Sequence, residues 1–82
     1  MNMITKEQIS DLISAGLEIS HIDVRGDDGQ HFEATVVSPE FAGLNMVKQH
    51  QLVYAALGDR IQTGEIHALA LKTFAPDEWS GD

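Results

Sequence analysis

With 82 residues the chain has room for one domain, residues 1–82, around a thin core. Thirteen acids against five bases give a formal charge of −8, which opposes the phosphate backbone that supplies most non-specific nucleic-acid affinity; the absence of cysteine excludes disulfides and any thiolate metal site built from this chain alone. No signal-peptide pattern and no apolar run near the roughly 20 residues of a membrane span are present, so a soluble cytoplasmic protein is expected.

Thr5 opens the first element as an N-cap, with Gln8 completing a capping box and Ile4 placed to staple against Ile9. Ile9, Leu12, Ile13 and Leu17 then recur at helical spacing, and Gly16 ends the helix. From Ile19 the period falls to two: Ser20, Ile22 and Val24 alternate with His21, Asp23 and Arg25, the pattern of a half-exposed strand. Gly26-Asp27-Asp28-Gly29 is a dense turn signal, and His31–Val37 returns as a second strand with Phe32, Ala34 and Val36 on one face.

Pro39 stops that strand because it has no amide to give a ladder, and Phe41 is placed to plug the edge of the core. Asn45 caps a helix read from Met46 to about Gln62. Its stripe at 100° per residue is Met46, Val47, His50, Val53, Tyr54, Leu57 and Ile61, with Leu52 on the polar side. Thr63-Gly64-Glu65 breaks the helix. Ile66–Phe74 is the most apolar run and forms the last strand, followed by a helical turn or lid at Ala75–Trp79. The order is helix, strand, strand, helix, strand. A hairpin makes the first two strands antiparallel, and a helical crossover brings the third in parallel. The expectation is a single-domain α+β fold, α-β-β-α-β, whose three-stranded mixed sheet carries both helices on one face.

No enzyme template fits. The chain has no cysteine, no serine in a nucleophile elbow and no His-Glu-x-x-His; Asp77 and Glu78 belong to helix-start chemistry, so a binding or carrier protein is the better class. Among four histidines, His21 lies beside Asp23 on one strand face as a solvated imidazole, and His50 falls within an apolar stripe as a core histidine or, secondarily, a ligand. His31 and His67 each begin a strand after a glycine-bearing turn. Residue pattern alone leaves both open between a satisfied structural imidazole and a ligand at an accessible sheet edge.

The runs Gly26–Ser38, Phe41-Ala42-Gly43, Val47–Leu57 and Ile66–Trp79, with their His-Phe strand, His-x-x-Val-Tyr helix and His-Ala-Leu strand, resemble the BolA family. The short hairpin turn and compact length are similar to its IbaG (YrbA-like) branch. The resemblance implies a fold like the class II KH domain and a non-enzymatic role as partner of a monothiol glutaredoxin. The pair shares a bridging [2Fe–2S] cluster in iron–sulfur trafficking or iron sensing. Carried over by motif, the cluster ligands are His67 from the final strand and His31 as the histidine adjoining the hairpin loop. Glutaredoxin and glutathione supply the thiolates, so the isolated chain, a monomer or weak homodimer, holds no cofactor. Two imidazoles can complete one iron of such a cluster, as in Rieske centres. The KH likeness also implies an alternative, a nucleic-acid-binding transcriptional regulator. Gly26-Asp27-Asp28-Gly29 matches the KH Gly-x-x-Gly loop literally, but in a hairpin and with two acids it reads as a turn, so no nucleic-acid-binding residue is assigned.

Overall fold

The computed structural model describes residues 4–26, 31–58 and 68–79. Helix α1 (Lys6–Gly16) starts as its sequence dictates. The Thr5 hydroxyl accepts from the Gln8 amide at 3.1 Å, and the Gln8 side chain accepts from the Thr5 amide at 2.8 Å. Ile4 and Ile9, the staple pair, are both buried in the core. Gly16 is the last helical residue, but its role is packing: a Cβ there would stand 2.7 Å from the Cβ of Ala56 in the second helix. The two helices approach closely at this point because glycine leaves room.

Strands β1 (His21–Arg25) and β2 (His31–Val37) pair antiparallel, and β3 (Ala68–Phe74) pairs parallel to β2, giving the sheet order β1-β2-β3 with β2 in the centre. The α-β-β-α-β order and the mixed sheet are those expected from the hydrophobic periods. Of the Gly26–Gly29 turn, Asp27 to Gly29 lie outside the described residues, as do Ile61, Gln62, Thr63-Gly64-Glu65, Ile66 and His67. Gly26 holds φ at +154°, and a Cβ there would meet the His31 carbonyl oxygen and the Phe32 ring, each at 2.6 Å. Both the backbone conformation and the space require glycine. Gly26→Ala is expected to cost about 2–3 kcal/mol, the sum of backbone strain and overpacking, read as a lower urea midpoint with an unchanged m-value.

The core lies between the sheet and the helices. Phe32, Ala34 and Val36 of β2 meet Ile9 and Ile13 of α1 and Val53 and Leu57 of the second helix, with Phe41 among them at 0% exposure. Phe41 sits in the 3-10 turn Pro39–Phe41, which Ser38 caps by accepting from the Glu40 amide at 3.1 Å. The loop is fastened to the sheet by the Ser38 amide, which donates to the Phe74 carbonyl at 3.1 Å.

Helix α2 (Met46–Leu57) departs from the sequence reading in three respects. Asn45 caps it as expected, its side chain accepting from the Lys48 amide at 2.9 Å. It ends at Leu57 rather than near Gln62, because Gly58 takes the left-handed region at φ 71° and stops it. Its buried positions are Gln49, Val53 and Leu57, while Met46, Val47 and Tyr54 are 69, 65 and 39% exposed. Of the expected apolar stripe, Val53 and Leu57 therefore face the core, while Met46, Val47 and Tyr54 face outward. Leu52, assigned to the polar side, packs against the core instead. Gln49 explains the rotation. Its Nε2 donates to the carbonyls of Phe41 at 3.2 Å and Leu44 at 2.9 Å, and its Oε1 accepts from the Thr73 hydroxyl at 2.7 Å. A buried amide with these bonds made is tolerated in a core, and here it ties α2 to both the plug loop and β3.

Candidate functional site

The face of the sheet away from the helices is where the candidate residues gather. Alternation along three strands, combined with the register, sets them in rows: His21 beside Val37 and Phe74, then Asp23 beside Thr35 and Lys72, then Arg25 beside Glu33 and Ala70, and last His31 beside Ala68. The first row is closed from above. After Phe74 the chain makes a 3-10 turn at Pro76–Glu78, in which the Glu78 side chain accepts from the Ala75 amide at 3.1 Å, and Trp79 folds back over the sheet. The Trp79 ring stacks on His21 with centroids 5.0 Å apart and an interplanar angle of 21°, and meets Phe74 at 5.3 Å. Val37, between those two residues in the register, is 1% exposed although it lies on the open face. The expected helical turn or lid at Ala75–Trp79 is both.

Beyond this aromatic end runs a groove of about 310 Å³ with Thr35 and Lys72 in its floor and Arg25 and Glu33 at its far side. The Arg25 Nε donates to an Asp23 carboxylate oxygen at 2.8 Å; with the Arg25 side chain 75% exposed, this ion pair adds little stability. Asp23 thus serves Arg25, while His21 is held by Trp79. The sequence reading of His21 as a solvated imidazole beside a carboxylate missed the tryptophan. Neither α-helical nor strand periodicity connects residues from opposite ends of the chain.

His31 begins β2 and is exposed, at the end of the sheet opposite His21. Six residue steps along β2 separate the His31 and Val37 rows, about 20 Å at the usual rise, so His21 and His31 cannot share one metal centre. His50 is half-buried on α2, in the helical layer and not on the open face. In the parallel register His31 pairs with Ala68, the first residue of β3. His67 is the next residue in sequence before Ala68 and lies outside the described residues. Among the described residues no group of three or more His, Asp or Glu side chains is arranged to hold a metal. An exposed imidazole at a sheet end is a fitting nitrogen donor for an iron whose remaining ligands come from elsewhere. A cysteine-free chain offers an iron–sulfur cluster no thiolate, and histidine is the established nitrogen ligand in its place. Among the described residues no helix is long and apolar enough to cross a membrane.

The pattern of the family described as BolA-like protein matches residues 13–78. The acid stress protein IbaG of Escherichia coli K12 is 35% identical over 75 residues, covering 92% of this chain and 88% of its own. The solved structure of a bolA protein homologue from Coxiella burnetii is 43% identical with a TM-score of 0.75, covering 93% of this chain and 96% of that one. The DNA-binding transcriptional regulator BolA of Vibrio cholerae is 47% identical over 55 residues, 67% of this chain and 50% of that protein. The capped first helix, the mixed sheet with its parallel third strand and these likenesses together make the chain a member of the BolA-like family.

Proposed function

We propose that this protein is a non-enzymatic cytoplasmic partner of a monothiol glutaredoxin, sharing a bridging [2Fe–2S] cluster in iron–sulfur trafficking or iron sensing. The observation that carries the reading is the exposed His31 at the sheet end where β3 begins, in a BolA-like chain that has no cysteine of its own. His31 and His67 supply nitrogen donors, while glutaredoxin and glutathione supply thiolates. When bound, the cluster supplies one-electron chemistry and a transferable iron–sulfur unit. The protein's part is to present the His31 imidazole from the start of β2 and to keep the other sheet end closed under Trp79.

The test is reconstitution of the hetero-complex from both proteins with iron, sulfide and glutathione, followed by visible absorption and circular dichroism. His67→Ala is expected to abolish most of the hetero-complex signature, leaving the spectrum of glutaredoxin alone, and His31→Ala to have a comparable or smaller effect. Unchanged spectra for both variants would remove the ligand assignment.

The Vibrio cholerae relative favours a second reading, a transcriptional regulator that binds DNA. It requires a DNA affinity that falls steeply with salt. A formal charge of −8 opposes it, and no mobility shift at low salt would dispose of it.

A further inference from the structure

The two rings that Trp79 meets differ in kind. His21 lies 5.0 Å away with only 21° between the planes, and it is ionisable; Phe74, tilted at 5.3 Å, is not. Beneath them Val37 is 1% exposed although it lies on the open face. The segment that brings the tryptophan there is fastened to itself: the Glu78 side chain accepts from the Ala75 amide, and the amides of Glu78 and Trp79 donate to the carbonyls of Ala75 and Pro76. These bonds shape the turn without tying it down to the sheet, so the ring contacts carry the closure.

We propose that Trp79 is a lid over the sheet end, latched by protonation of His21. A cation within about 6 Å of an indole centroid and over its face is attracted by the ring's negative face, and the stack meets that geometry. A neutral imidazole in the same place keeps the contact but loses this attraction. Closure therefore favours the charged ring, and the latch tightens as pH falls through the range in which imidazoles gain a proton, about pH 8 to 5. At an exposed site such as His21 the gain is about two- to fivefold in the closing equilibrium. The neighbouring charges do not supply it. Asp23, on the same face of β1, is taken by Arg25; β2 sets Val37 and Thr35 nearby with Glu33 farther along; β3 contributes Lys72; and the turn before Trp79 carries Asp77 and Glu78. Carboxylates as a class titrate below this range and lysine and arginine above it, which leaves the imidazole as the group whose charge changes. When the lid lifts, Val37 and the Phe74 ring are uncovered and lengthen the groove that runs over Thr35 and Lys72. The apolar end of the open face is thus more available at alkaline pH and more firmly covered in acid.

A double-mutant cycle of His21→Gln and Trp79→Leu, read by urea unfolding at about pH 5.5 and about pH 8.5, isolates this pair, because the other histidines titrate alike in all four proteins. His21 is exposed and Trp79 half-buried, so the variants keep the core intact. The coupling between the two sites, as a ratio of unfolding constants, is expected to be about two- to fivefold larger at the lower pH. His21→Arg places a permanent cation against the indole and is expected to hold the larger coupling at both pH values. Trp79 is the single tryptophan of the chain, which gives a second readout: its fluorescence should titrate in the wild type and stay level in His21→Gln. Equal coupling at the two pH values overturns the proposal. So does a Trp79 titration that survives His21→Gln, or a coupling in His21→Arg that still follows pH.

Discussion

Replacing Phe41 by alanine is expected to lower the unfolding free energy by about 3–5 kcal/mol, the usual cost of emptying a buried phenylalanine site. A small domain is stable by only about 5–15 kcal/mol in total, so this one change removes a large share of that margin. The size of the effect follows from where the side chain sits. Phe41 belongs to a short 3-10 turn, not to a helix or strand, and is nevertheless 0% exposed, meeting residues of α1, α2 and β2 in one cluster. The turn cannot follow a truncated side chain inward. Ser38 fixes it at one end through the Phe74 carbonyl, and Gln49 holds the Phe41 carbonyl at the other. Urea unfolding followed by far-ultraviolet circular dichroism should show a lower midpoint at constant m-value; a loss below about 1 kcal/mol would show that the loop relaxes into the space.

Gln49→Leu is expected to cost about 2–3 kcal/mol even though it places a better apolar residue in an apolar core. The substitution removes the donor from two carbonyls, Phe41 and Leu44, and the acceptor from the Thr73 hydroxyl. Phe41 keeps the Leu44 amide at 3.1 Å, so the greater penalty falls on the Leu44 carbonyl. Thr73→Val alone should cost about 1 kcal/mol, and the double variant less than the sum of the two, because the Thr73–Gln49 bond is then counted once. Strict additivity in that cycle would mean the bond contributes nothing to stability.

Local signals in the sequence describe much of this fold. Thr5 with Gln8 and Asn45 with Lys48 form their caps within three residues, so their partners can be read by eye. The alternation of β2 is equally direct, because a strand with one buried face shows it residue by residue. The inward face of α2 was legible only in part. Apolar spacing places Val53 and Leu57 inside, but it adds the exposed Met46, Val47 and Tyr54 and passes over the buried Gln49, whose partners lie in the plug loop and in β3. Nothing near Gln49 in sequence announces those bonds, nor the closeness to Ala56 that Gly16 permits. At the candidate site, His31 at the start of an exposed strand end was visible from the turn that precedes it, while the stacking of Trp79 on His21 joins two ends of the chain.

The parallel pairing of β2 with β3 has a kinetic consequence. The β1–β2 hairpin closes a short loop, but β3 can join β2 only by closing the longer chain segment between Val37 and Ala68, and the entropy of that closure must be met before any of its hydrogen bonds form. Delivery of β3 is therefore the late step of assembly, and it creates the sheet end beside His31 and carries Phe74 and Trp79 to the other end. A newly made chain acquires the sheet end beside His31 and its final tertiary contacts together, so that a half-folded molecule lacks both.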